Sequence, residues 1–325
     1  MRKLLSAVLL FTLMITVSCN AKTAPAPASS AAAEVSEESA KGPGAGLAPA
    51  GGTEAETAAQ AAGQGPGTSA GKAQGFILPE GTTLETRFAV PEGYQRTAYP
   101  EDSFGSFMRN YDLKPDGSPV LLWTKEPKGN QWDHAAVFDM FVEDQLDVQQ
   151  CADSVMRIYA EYFRATGQYD RIRFHFVSGF LCDYASYMQG KRVKIDGSRV
   201  NWVQSGTAED SDRVFNDYMR IVSAYSSTLS MEGESAPADI KDLQIGDVFL
   251  YGGSPGHVAM VADVCEKDGR KAFLLAQGYM PAQEFHIIKN PRHADDPWYY
   301  EEEVQYPFET QAYTFPEGSF RRMQY

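Results

Sequence analysis

Three residues of this chain have the types and spacing that acyl-transfer chemistry requires: a cysteine, a histidine and a side-chain amide. Cys151 stands in "LDVQQCADSVMRIYAEYF", His257 opens "HVAMVADV", and Gln277 closes "KAFLLAQ". A thiol attacks an acyl carbon, an imidazole carries the proton, and a neutral amide oxygen fixes the ring's orientation and tautomer. The plain alternative is a buried cysteine acting as an inert small hydrophobe.

The elements that would position these groups follow from periodicity. Val148, Cys151, Ala152, Val155, Tyr159 and Tyr162 recur at helical steps, with Arg157, Glu161 and Arg164 on the opposite face. Asp147 is the expected N-cap, with Gln150 completing a capping box. Cys151 then lies in the first turn, where free amides and the helix dipole favour a thiolate. Further on, "VFLY", "HVAMVADV" and "KAFLLAQ" are separated by the turn clusters "GGSPG" and "EKDGR", which predicts a β-meander. A turn centred near Lys267 sets Gln277 directly opposite His257 on one face, with Asp263 further along it. Gln283 follows Pro281, outside that register. The Cys151 N–H suits oxyanion stabilisation, and Gln145, six residues upstream, is the candidate side-chain donor. His175 reads as a partly buried strand histidine, and His134, His286 and His293 as surface residues. Trp202 and the run Pro297 to Tyr300 fit either a cleft wall or the core.

"GDVFLYGGSPGHVAMV" resembles the histidine hairpin of the NlpC/P60 and wider papain-like peptidases, although "QQCAD" lacks the Ser–Gly that usually follows their cysteine. The resemblance implies an α+β, papain-like core. In it a nucleophile helix packs on an antiparallel β-meander, with N-terminal elaborations and an insertion at about 171–244. It assigns Cys151 as nucleophile, His257 as base and acid, and Gln277 as orienter, needing no cofactor and no metal. "DVQQCADSVMRIYAEYF", "FHFVSGF", "GDVFLYGGSPGHVAMVADV" and "LLAQGYMPAQ", in that order, are similar to an uncharacterised bacterial family, domain of unknown function 4846.

The chain begins "MRKLLSAVLLFTLMITVSCN", a charged start and an apolar run too short to span a bilayer comfortably. This is a signal peptide, residues 1–19. Its "VSC" end resembles a bacterial lipobox, which implies lipidation at Cys19; ordinary cleavage is the alternative. Residues 20–75 are mostly Ala, Gly, Pro, Ser, Thr and Glu and cannot bury a core, so a disordered tether is expected. Residues 76–325 regain aromatic and branched residues and read as one globular domain. The layout implies a lipid-anchored protein exported to the bacterial cell envelope, its membrane partner being met through the N-terminal lipid. A formal charge of −14 without a basic cluster argues against nucleic acid as a partner. Cys151, Cys182 and Cys265 match no zinc spacing, and a Cys151–Cys182 disulfide is an alternative to a free thiol. The leading expectation is a thiol hydrolase or acyltransferase acting on cell-wall peptides or another acyl substrate. The rival is an inactive envelope binding module that keeps the fold.

Overall fold

A computed structural model describes residues 75–325. The signal peptide, Cys19 and most of the tether lie outside the described residues. Among the described residues, the chain builds a nine-stranded antiparallel sheet and six short to medium α-helices. The expected meander is its centre: Val248–Tyr251, His257–Lys267 and Arg270–Gln277 lie side by side. The sheet then grows outward through short strands from distant parts of the chain. His286–Ile288 and His134–Val137 extend one side, and Phe320–Met323 and Ser235–Pro237 the other, with two more short strands pairing off this path. This corrects the expected fold class. The chain is not a papain-like core of one helix on a three-stranded meander, because the meander is only the centre of a nine-stranded antiparallel sheet, with six helices and three two-stranded sheets beside it among the described residues.

The cysteine helix, Cys151–Ala165, is more central than its periodicity implied. Arg157, expected to face solvent, is 3 % exposed. Its guanidinium lies over the Phe141 ring and bonds Glu161 and Asn216. The helix also starts later than expected. Gln150 is the N-cap, and the Asp153 carboxyl oxygen Oδ2 accepts its amide proton at 3.0 Å. Asp147 is used elsewhere: its Oδ1 accepts the Ala282 N–H at 2.6 Å and ties the helix entry to the turn beyond Gln277.

The segment at about 171–244 forms two small hairpins and three helices, Tyr184–Met188, Asp212–Tyr225 and Thr228–Gly233. It then returns to the sheet edge as Ser235–Pro237. Trp298 is fully buried and its indole donates to the Ala89 carbonyl at 2.9 Å, so the Pro297–Tyr300 run is core. Trp202 packs on Phe180. His286 is also buried and burial pushes its ring down to about 3, so it belongs to the sheet rather than the surface.

Candidate functional site

The central hairpin turns at Asp268 and Gly269, with Lys267 paired to Arg270, so its centre lies beyond Lys267, between residues 268 and 269. A regular ladder from that turn would carry Gln277 across from Met260, onto the face opposite His257. It does not, because the register shifts between Leu274 and Leu275: Leu274 pairs with Asp263, but Leu275 pairs with Val261. The bulge at Ala262 absorbs one residue and inverts the facing of everything beyond it. Ala276 then pairs with Met260, and Gln277 is a diagonal neighbour of His257 on the same face. The long glutamine side chain spans the diagonal, and its Oε1 lies 2.8 Å from His257 Nε2.

Asp263, on the other side of the bulge, faces away from His257. Its carboxylate is fully buried and accepts from Arg96 Nε and Arg109 Nε, each at 2.8 Å. It clamps the N-terminal part of the domain to the sheet. Gln283 bridges to Leu122 and does not reach the ring.

Two glycines permit close approach around the site, one between the end of the glutamine strand and the cysteine helix, the other between the start of the histidine strand and Thr228. A Cβ at Gly278 would lie 2.6 Å from Ser154 Oγ and 2.8 Å from the Gln150 carbonyl. One at Gly256 would lie 2.3 Å from Thr228 Oγ1. Gly278→Ala is therefore expected to push the end of the glutamine strand off the helix start. It should cost about 1–3 kcal/mol, the usual range for overpacking. Urea unfolding reads this directly; a change below about 0.5 kcal/mol, the scale of a neutral surface substitution, would mean that the contact relaxes freely.

The Cys151 sulfur sits at the start of its helix, where its own backbone N–H and those of Ala152 and Val258 are close enough to favour negative charge. Val258 is the residue after His257. These amides favour a thiolate, but Cys151 is only 6 % exposed, and burial outweighs them. Desolvation, with the nearby Asp153 carboxyl second, pushes the thiol up to about 11. Burial raises Cys182 and Cys265 further still. All three are free thiols, so the Cys151–Cys182 disulfide is not formed.

His257 is equally enclosed. It is 2 % exposed, and desolvation pushes its ring down to about 4 although the Gln277 bond opposes this. The rings of Tyr279 and Tyr313 pack against it at 5.1 Å, and Phe315 at 5.8 Å. Tyr313 and Phe315 come from a small hairpin, Phe308–Glu309 with Thr314–Phe315, whose phenylalanines are rooted on Phe249. Sequence periodicity gave no hint of this roof, because its strands are two residues long and lie far from His257 in the chain. The thiol makes no hydrogen bond to the ring, and burial keeps both thiol and imidazole neutral near pH 7.

A cleft of about 550 Å³ reaches Cys151. Asp147, Gln150, Asp153, Thr228 and the Gly253–Gly256 loop line it, and no basic side chain does. Gln145 is not among these residues: it is exposed, and its amide donates to Asp144. Gln149 is buried and bonds the Phe141 carbonyl. Gln150 is thus the side-chain amide nearest the thiol in the cleft. Among the described residues no three His, Cys, Asp or Glu side chains converge as a metal site would need.

No curated protein and no solved structure matches the chain. Residues 84–322 match the family model described as domain of unknown function 4846, and the chain belongs to that family.

Proposed function

We propose that this is a lipid-anchored protein of the bacterial cell envelope whose Cys151 forms an acyl-thioester, as a hydrolase or an acyltransferase. Cell-wall peptides are its substrate class. One observation carries the reading. The thiol lies at a helix start, at the wall of a cleft and in reach of the amide of Val258, the residue after His257, and Gln277 holds the Nε2 of that histidine. In that arrangement the free imidazole nitrogen takes the thiol proton as sulfur attacks. The amides around the sulfur then stabilise the oxyanion. The neutral resting pair means that proton transfer accompanies attack, and no thiolate–imidazolium pair precedes it.

The enclosure of Cys151 and His257 favours a second reading, a binding module that has lost catalysis. Covalent trapping separates the two. The protein is treated with 4-nitrophenyl acetate between pH 6 and 9, and acetylated peptides are located by mass spectrometry. Acetyl-Cys151 in the wild type and none at that position in Cys151→Ala supports the acyl-enzyme. Absence of acetyl-Cys151 across that range, with peptidoglycan binding equal in both proteins, supports the binding module.

A further inference from the structure

Asp153 is the chemically unusual group of the cleft. It lies two residues after Cys151 and lines the same cavity. Its Oδ2 has a structural task, accepting the Gln150 N–H at 3.0 Å. Its Oδ1 has none: that atom is buried without a hydrogen-bond partner, in a residue 5 % exposed. Capping needs one oxygen, so it leaves the second unexplained.

The groups that face Asp153 offer it no counter-charge. Cys151 is on its own helix, and Asp147 shares the cleft. Tyr325, from the C-terminal segment, feels both Asp153 and Glu234. No lysine, arginine or histidine lines the cavity. Burial therefore pushes the carboxyl up to about 8, and it holds a proton at neutral pH. His257, under its aromatic roof, is neutral at rest, so almost none of it is in the protonated form that could act as an acid.

We propose that Asp153 is the acid of the cleft and gives its proton to the leaving group when Cys151 is acylated. This rests on the acyl-enzyme reading above. In the first half, sulfur bonds to the acyl carbon and the thiol proton passes to His257. The bond to the leaving group breaks, and the departing atom takes the Asp153 proton. In the second half, a water or acceptor oxygen bonds to the carbon and gives its proton to the Asp153 carboxylate. The carbon–sulfur bond breaks, and His257 returns its proton to Cys151.

The test uses leaving groups of different basicity. Acetylation of Cys151 by 2,4-dinitrophenyl acetate needs no protonation of the phenolate, whereas acetylation by phenyl acetate does. Taking the ratio of the two rates cancels the thiolate fraction. Asp153→Asn keeps the cap acceptor but has no acidic proton. At pH 6.5 it should slow the phenyl ester roughly 100-fold relative to the dinitrophenyl ester, the low end of general-acid effects. The wild type should drift to the variant's ratio as pH rises through about 8, where the carboxyl ionises. An equal ratio in both proteins at pH 6.5 overturns the role of Asp153 while leaving the thioester intact. No acetyl on Cys151 from either ester overturns both readings.

Discussion

Acetyl transfer to Cys151 is expected to fall roughly 100- to 10,000-fold in His257→Ala, the range that loss of a general base commonly costs. The size follows from the resting state. The thiol sits near 11, so at neutral pH almost none is ionised, and attack depends on a base to take its proton. Gln277→Ala should cost less, because Tyr279, Tyr313 and Phe315 still confine the ring after the 2.8 Å bond to the amide is gone. Rates come from the appearance of acetyl-Cys151 at fixed pH, with circular dichroism confirming that each variant is folded. A His257→Ala rate within threefold of wild type would remove the imidazole from the mechanism.

Asp263→Ala should destabilise the domain by about 3–5 kcal/mol, the cost of breaking a buried pair from one side. The carboxylate is fully buried between two guanidinium groups, and the Arg109 side chain is only 8 % exposed. Removing the acid leaves Arg109 buried among partners that are backbone carbonyls, Thr97 and Val264. Asp263→Asn keeps the volume and one acceptor and should lose less. Urea midpoints for the three proteins decide the matter. A loss under 1 kcal/mol in Asp263→Ala would show that water or a shifted Arg109 replaces the clamp.

Local features were legible from the residues and long-range ones were not. The runs "VFLY", "HVAMVADV" and "KAFLLAQ" carry strong β-preferences between clear turns, and all three are strands. The helix at Cys151 was legible from its apolar residues at three- and four-residue steps. Its cap was misplaced because Asp147, a good N-cap by type, is claimed by a partner far away in sequence, Ala282. Strands of two to four residues such as Gln95–Arg96 and Phe320–Met323 have no period to read, and they are what makes the sheet wide. The papain-like expectation failed at that level. Burial misled at single residues too. A helix start favours a thiolate, but whether the position is wet or dry depends on what packs over Cys151. The wide sheet likewise buries His286, expected at the surface although Phe285 and Ile287 flank it.

The bulge at Ala262 bears on how this hairpin tolerates insertions and deletions. Whether the glutamine meets the histidine is a question of parity, because each residue added to or taken from one arm swaps its side chains between faces. Loss of Ala262 alone should leave a straight ladder with the pairings on either side intact, so that Gln277 still reaches His257. Loss of one residue from the other arm, between Arg270 and Leu274, has no such escape unless the turn is remade. Among chains of this family, hairpins shorter or longer by an even number can keep the pair with the same bulge. Those differing by an odd number must gain or lose one.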